Sequence, residues 1–303
     1  NMNSTPTLHG KVALVAGGTR GAGRGIAVEL GQAGATVYVT GRTTRHHTSD
    51  YHRQETIEET AHLVTEAGGT GIPVQVDHLQ REQVQDLMGR IEKEHGHLDV
   101  LVNAIGAEHL MEVGTRFWET GLEKGLQVMD TALRTHLITT HLALPLIKKR
   151  GLVVCLTDGT YAYNHHHYRM TVFIDLAKTS LTRFCWTLAQ DTTEREVTVV
   201  SLTPGWLRSE FMLDAYGVTE ENWRDAIEKE PGFATSETPY FIGRAVAALA
   251  ADPEKSRWSG QSLSSGQLAK VYGFRDVDGS QPDSWRYMLD LERNGKANPE
   301  DYR

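Results

Sequence analysis

The sequence predicts an α/β fold in which helices cover both faces of a doubly wound parallel sheet. Short apolar runs rich in β-branched residues alternate with longer amphipathic stretches from residue 11 to about 265, which indicates strands joined by crossover helices. The apolar runs are almost continuous, as expected for parallel strands buried on both faces. The 303 residues contain no Pro/Ser-rich linker, repeat or break in composition. We therefore expect a single domain (1–303), with a core at 10–265 and a C-terminal extension at 266–303.

The elements follow in order from these patterns. Six strands are predicted, at KVALVA (11–16), TVYVT (36–40), GIPVQVD (71–77), LDVLVN (98–103), LVVCLT (152–157) and VTVVSLT (197–203). Helices are predicted near 22–33, 55–67, 80–95, 121–149, 171–190 and 238–251. Extended loops at 42–54, 158–170 and 204–236 follow the carboxyl ends of strands, where ligands bind in open α/β sheets. Each loop alone is equally compatible with an ordinary surface connection.

Composition excludes several classes of function. The chain has 31 Lys and Arg against 39 Asp and Glu, a net charge of −8, so it lacks the basic face that binds nucleic acid. No run of 18 apolar residues is present, and no membrane span is expected. Cys155 and Cys185 lie in apolar runs and cannot form a disulfide framework, which favours a reducing compartment. The polar N-terminal stretch predicts no signal peptide. We expect a cytoplasmic protein.

A glycine-rich turn follows the first strand, in the stretch VALVAGGTRGAGRGIAVEL. Gly17, Gly21 and Gly23 are spaced G-x-x-x-G-x-G between a strand and a helix. Such a turn lets the backbone approach a pyrophosphate while free N–H groups at the helix start face the anion. The context of strand, turn and helix makes this pattern typical of a dinucleotide site, although glycine is common in any tight turn.

With this turn, the sequence resembles the short-chain dehydrogenase/reductase family over residues 10–265, which implies a Rossmann-type fold. Further motifs carry the resemblance: VD at Val76–Asp77, VNAIG at Val102–Gly106, TPGW at Thr203–Trp206, and the lysine of DLAKTSLTRF. The resemblance implies that Asp77 contacts adenine, that Asn103 and Gly106 form the turn after the fourth strand, that Pro204 and Gly205 contact nicotinamide, and that Lys178 binds its ribose.

The second strand predicts which nicotinamide cofactor is bound. It ends in Thr40, Gly41 and Arg42, where NAD enzymes usually have an acidic residue for the ribose hydroxyls. A guanidinium there binds a 2′-phosphate, and the resemblance places Arg20 beside the same phosphate. The sequence therefore favours NADP(H) over NAD, and the alternative is that the two arginines are simply solvated.

The catalytic positions depart from the family pattern. The family uses a Tyr to exchange a proton, a Lys to lower its pKa, a Ser to polarise the carbonyl and an Asn to position a water. Here Ile174 stands four residues before Lys178 at the Tyr position, Asp158 stands at the Ser position and Ala132 at the Asn position. Only Lys178 is retained. The TDG…DLAK pattern resembles a bacterial branch of the family, within which Ile174 is still a departure.

Replacement acids lie close by in the sequence. Tyr168, on the loop after Asp158, and His136, one helical turn beyond Ala132, join Asp158 and Lys178 as candidate catalytic residues. A packed helix histidine and a solvated loop are the alternatives for His136 and for the loop. No complete set of metal ligands is recognised, so no metal is expected. Asp158 is either protonated by its apolar surroundings and acts as an acid, or it is ionised and stabilises an iminium substrate.

These observations predict an NADP(H)-dependent oxidoreductase that reduces a C=O or C=N bond of a mid-sized organic substrate. Two alternatives remain: a non-redox enzyme, such as a cyclase, lyase or isomerase, and an inactive nucleotide-binding homologue. The helices at 121–149 and 171–190 carry apolar residues on more than one face. Since the family packs these helices against their copies, a homodimer or homotetramer is expected.

Overall fold

The computed structural model describes residues 7–49 and 51–303 and contains a seven-stranded sheet in the order β3-β2-β1-β4-β5-β6-β7. All its pairings are parallel. The strands are β1 (Val12–Ala16), β2 (Thr36–Gly41), β3 (Thr70–Gln75), β4 (Leu98–Asn103), β5 (Ile147–Leu156), β6 (Thr198–Thr203) and β7 (Ser262–Ser264). The predicted fold class is confirmed.

Helices cover both faces of this sheet. They are α1 (Gly21–Gln32), α2 (Ile57–Glu66), α3 (Arg81–His95), α4 (Leu122–Met129), α5 (Thr135–Ala143), α6 (Tyr161–Asn164), α7 (Val172–Asp191), α8 (Glu210–Ala215), α9 (Pro239–Ala251), α10 (Ser265–Tyr272) and α11 (Ser284–Asn294). Apolar residues of α1, α2 and α9 form one core with the sheet, and those of α3, α5 and α7 form the other. The central strands β1, β4 and β6 are buried along their whole length, which explains their continuous apolar runs, whereas the edge strand β3 is partly exposed.

The predicted helix at 121–149 is wrong in two respects. It is interrupted by a π-helical turn at Asp130–Arg134, and the chain already enters β5 at Ile147. Pro145 lies in the short 3₁₀ turn between α5 and β5. Its ring and missing N–H end the helix, which the long apolar pattern of this segment had concealed. The three-residue strand β7 is too short to be recognised from its pattern.

The C-terminal extension packs back onto the end of β6. The indole Nε1 of Trp285 donates to the carbonyl oxygen of Pro204 at 2.9 Å, and the backbone N of Trp206 donates to Oγ of Ser284 at 3.2 Å. The extension therefore builds part of the surface around the turn after β6.

Two expectations concern residues outside the described ranges. The N-terminal stretch for which no signal peptide is expected includes residues 1–6, and the predicted loop 42–54 includes residue 50. Within 7–49 and 51–303, no helix combines the length and the apolar character needed to span a bilayer. Cys155 and Cys185 are buried free thiols.

Candidate active site

The glycine-rich turn has a conformation that requires glycine. Gly17 and Gly21 have φ values of +89° and +58°, and a Cβ at Gly23 would overlap the carbonyl oxygen of Gly17. Side chains at these positions would strain or block the turn. The turn therefore connects the end of β1 to the start of α1. The first N–H groups of a helix have no hydrogen-bond partner within the helix.

The amide at the start of α1 binds an anionic group of the chain itself. Gly21 N donates to Oε2 of Glu210 at 2.7 Å. Glu210 is the first residue of α8, and the Oγ of Ser209 accepts from Met212 N to cap that helix. The positive end of the α1 dipole favours an anion at this point. The turn is thus an anion-binding cradle that holds a carboxylate.

The two arginines proposed for a 2′-phosphate flank the end of β2. Arg20 Nη2 donates to Oγ1 of Thr43 at 3.3 Å, and its Nη1 donates to the hydroxyl of Tyr51 at 2.8 Å. Its Nε lies 3.3 Å from Oε1 of Glu55. Arg42 is exposed at the rim of a cavity of about 590 Å³.

That cavity also brings together residues at the end of β3. Val76 and Asp77 line it beside Arg42, with Gln83 and Arg90 of α3 on its other side. Asp77 N donates to Oε1 of Gln83 at 2.8 Å. The structure therefore places Arg42 and Asp77, both predicted to contact the adenosine half of a cofactor, at one cavity.

Asn103 links the end of β4 to a neighbouring helix through a hydrogen bond. It is 1% exposed, and its Nδ2 donates to Oγ1 of Thr140 at 2.9 Å. Its side chain connects the strand to α5 rather than facing a groove. It can act on a cofactor only by fixing the turn that leads to Gly106.

The Pro204–Gly205 turn rests on a buried carboxyl group. Gly205 N donates to Oε1 of Glu237 at 2.5 Å, and Oγ of Ser265 donates to the same oxygen at 2.8 Å. Burial raises the pKa of Glu237 to about 8. This carboxyl is therefore protonated at neutral pH and fixes the turn that follows β6.

Lys178 is buried on α7 and pairs with a carboxylate that sequence reasoning missed. Its Nζ lies 3.0 Å from Oε1 of Glu108, and the lysine is 6% exposed. Glu108 follows β4 and folds back over Gly106, where a Cβ would overlap its Oε2. Partial loss of water around its carboxylate acts to raise the pKa of Glu108, but the charge of Lys178 and its hydrogen bond outweigh this effect, and the pKa is lowered.

Ile174 and Ala132, the apolar residues at the Tyr and Asn positions of the family pattern, lie together beside Lys178. Ile174, one turn before the lysine, is fully buried in a cluster with Ala107, Ala132 and Phe173. Ala132 is inside the π-helical turn of residues 130–134, a feature that often marks functional sites. A cluster of apolar side chains therefore lies beside Lys178 on α7.

Asp158 forms an ion pair with Arg169. Oδ1 and Oδ2 of Asp158 lie 3.1 and 3.2 Å from Nη2 of Arg169. The guanidinium carbon is 5.4 Å from the ring centre of Tyr163 and 5.0 Å from that of Trp285. The Asp158 carboxylate is therefore held by Arg169 in this structure.

The other two candidate acids are less well placed. His136 is 1% exposed, its Nε2 donates to the carbonyl oxygen of Ile105 at 2.8 Å, and its Nδ1 finds no hydrogen-bond partner among the described residues. Tyr168 is 66% exposed, whereas Tyr163 on the same loop is buried against Trp285. Within residues 7–49 and 51–303, no group of side chains is arranged to hold a metal ion.

Comparison with known proteins identifies the family. The sequence model of a family described as "Enoyl-(Acyl carrier protein) reductase" matches residues 16–265. The human protein "Dehydrogenase/reductase SDR family member 1" is 33% identical over 281 residues, covering 90% of this chain and 85% of that protein. The chain belongs to the short-chain dehydrogenase/reductase family. It is an oxidoreductase of this type, and the fold implies a nicotinamide cofactor, either NAD or NADP.

A further relative and a solved structure are also similar to this chain. The "Hydroxynaphthalene reductase-like protein Arp2" of Metarhizium majus is 27% identical over 272 residues, covering 85% of this chain and 94% of that protein. A short-chain dehydrogenase from Mycobacterium thermoresistibile has a TM-score of 0.74 at 19% identity, covering 92% of this chain and 96% of that one. At that identity the likeness shows the fold alone.

The groove of this short-chain dehydrogenase/reductase fits a dinucleotide. The start of α1 binds the carboxylate of Glu210 and could bind another oxyanion in the same way. The buried Lys178 pairs with a carboxylate oxygen of Glu108. An open cavity lies at the ends of β2 and β3. Sequence reasoning missed Glu108 and Glu210 because each meets its partner from another segment of the chain. It also missed Arg169, which lies in the same loop as its partner Asp158. No local motif marks such contacts.

Proposed function

We propose that this short-chain dehydrogenase/reductase is an NADP(H)-dependent enzyme that reduces a C=O or C=N bond in a mid-sized organic substrate. The observation that carries the proposal is the contact of Gly21 N with a carboxylate oxygen at 2.7 Å. A turn that requires glycine and donates to an anion is the element that a dinucleotide pyrophosphate needs. The retained cradle supports a hydride-transfer function over a non-redox one.

The choice of NADP(H) is supported by charge at the end of β2. Arg42 borders the cavity that also contains Asp77, and Arg20 reaches Thr43 from the glycine-rich turn. Guanidinium groups bind a phosphate through paired hydrogen bonds. Glu55 lies 3.3 Å from Arg20 Nε in this structure, and we propose that the preference depends on both guanidinium groups.

The proton in the reaction comes from a different group than the usual tyrosine. A bound dihydronicotinamide would supply the hydride and its electron pair. Ile174 cannot donate a proton, and both carboxylate oxygens of Asp158 accept from Arg169 Nη2. For a ketone, Lys178 is the retained group with N–H protons to donate. For an iminium substrate no proton is needed at the nitrogen, and Lys178 only orients the cofactor.

Binding and turnover measurements test this function. We expect NADPH fluorescence to change on titration with the protein, and NADPH absorbance at about 340 nm to fall with some members of a panel of ketones, quinones and cyclic imines. Binding without turnover on any of them would support an inactive nucleotide-binding homologue. Conversion of a substrate without any nucleotide would support the cyclase, lyase or isomerase alternative.

A homodimer or homotetramer in the cytoplasm is part of the same proposal. Leu126 of α4, Leu137 of α5 and Leu176 and Trp186 of α7 are exposed apolar residues. Burial of such side chains against a second copy would remove apolar surface from water. The buried free thiols of Cys155 and Cys185 are compatible with a reducing compartment.

A further inference from the structure

Two carboxylates of the chain lie on the groups that would hold a dinucleotide. Glu210 accepts from Gly21 N at the α1 cradle, and Glu108 pairs with Lys178. We propose that these carboxylates are internal competitors of the cofactor, so that cofactor binding is an exchange of anions on the same donors. This inference rests on the proposed nucleotide-binding function and concerns which groups of the chain compete with the cofactor for these donors.

The contact of Glu210 excludes a pyrophosphate oxygen from the same position. An amide N–H carries one proton, and at 2.7 Å the carboxylate forms a charge-assisted hydrogen bond with it. A second anion at this point would lose the N–H and would be repelled by the carboxylate charge. A pyrophosphate can therefore occupy the cradle only after the Glu210 side chain has moved away.

The contact of Glu108 occupies the place expected for the nicotinamide ribose. Its carboxylate lies over the bare face of Gly106 and reaches Lys178 Nζ at 3.0 Å. Lys178 is the residue expected to bind the nicotinamide ribose, and Gly106 belongs to the turn beside it. Glu108 itself is exposed, with about half of its side chain accessible, so it can swing into solvent, while Lys178 is buried and stays in place.

The consequence is a weakened apparent affinity for the whole cofactor. Only molecules in which both carboxylates have left the groove are competent to bind. If about one molecule in ten is open, the apparent dissociation constant is about tenfold higher than that of the open form. Replacing one glutamate by glutamine removes the charge and keeps the shape of the side chain. This change should lower the apparent dissociation constant towards that of the open form.

The test compares the glutamine variants by isothermal titration calorimetry with NADPH. We expect Glu210→Gln to tighten NADPH binding about threefold to tenfold, and Glu108→Gln to tighten it by a similar factor. Glu221→Gln, an exposed residue of the segment that contains Glu210, removes the same charge and should leave the affinity unchanged. Thermal unfolding of each variant checks that the fold is retained.

The affinity for a fragment of the cofactor distinguishes local competition from a general effect of the altered protein charge. Adenosine 2′-phosphate has neither the pyrophosphate nor the nicotinamide ribose, so its affinity should be the same in the wild type and both variants. Equal tightening of this fragment would overturn the proposal, as would NADPH binding by folded variants that is unchanged or weaker. If neither the wild type nor the variants bind NADPH or NADH, the proposed function fails as well.

Discussion

The carboxylate of Asp158 and the guanidinium of Arg169 form one ion pair, with both carboxylate oxygens within 3.2 Å of Nη2. Asp158 follows the end of β5, where the resemblance places the serine of the family, so under the proposed function Arg169 brings a positive charge close to the substrate. An unpaired carboxylate there would oppose an alkoxide. The pair compensates that charge and makes reduction of a neutral ketone electrostatically acceptable.

Replacement of Asp158 by asparagine should lower turnover by a factor of about 100 and leave NADPH affinity unchanged. The reason is that a neutral amide side chain cannot hold the Arg169 guanidinium by charge or stabilise a substrate cation. Steady-state kinetics and calorimetry measure the two effects. Asp191→Asn, at the exposed end of α7, is the control. A fully active Asp158→Asn enzyme together with an inactive Tyr168→Phe enzyme would transfer the catalytic role to the loop.

Replacement of Arg42 by aspartate should weaken NADPH binding by about 1.5–3 kcal/mol, the contribution typical of a hydrogen bond to a charged group, and leave NADH binding equal or improved. Aspartate repels the 2′-phosphate and accepts from ribose hydroxyls. Fluorescence titration with both nucleotides measures the change, with Arg81→Asp on α3 as the control. Tighter binding of NADH than of NADPH by the wild type would contradict the proposed preference.

Introduction of tyrosine in place of Ile174 should create or raise ketone reduction, because Lys178 lies one turn away on the same face of α7 and lowers the pKa of a nearby phenol. Ile174→Phe is the matched control, since it adds the ring without the hydroxyl. Both variants enlarge a fully buried side chain and should lose about 1–3 kcal/mol of stability. For an iminium substrate we expect no gain from the tyrosine, because no proton is missing.

The buried carboxyl of Glu237 predicts a pH-dependent stability. Burial raises its pKa from 4.5 in the unfolded chain to about 8 in the folded protein. The unfolded chain therefore releases this proton first as pH rises, and the group's contribution to stability is lost between about pH 4.5 and 8. Urea unfolding should show the stability of Glu237→Gln rising relative to the wild type between about pH 5 and pH 8. A constant difference would contradict the assignment.

Light scattering at micromolar concentration should give the mass of a dimer or a tetramer. Leu176, which is 52% exposed on α7, is a suitable position for disruption, and Leu176→Asp should shift the mass toward the monomer because it places a charge in an apolar contact. Leu291→Asp, on α11 of the C-terminal extension, is the control. A monomeric mass for the wild type would rule out the proposed interface.

The sequence alone was sufficient for the fold class and for the glycine-rich turn after the first strand. The first predicted helix, 22–33, differs by one residue at each end from Gly21–Gln32, because a strand, a glycine turn and an amphipathic helix leave local signals. The apolar runs found six of the seven strands, since strands buried on both faces are continuously apolar. The sequence also showed that Ile174 lacks a proton donor, which follows from residue chemistry alone.

Only the tertiary structure decided which charges meet in the groove. Glu210 is 189 residues from Gly21 in the chain, and the segment that carries Glu108 follows β4 whereas Lys178 lies on α7. Hydrophobic periodicity reports how a segment faces the core, but it holds no information on which surface side chain of another segment comes within about 3 Å. That proximity is set by the parallel sheet, which brings the loops after β1, β4, β5 and β6 to a single edge.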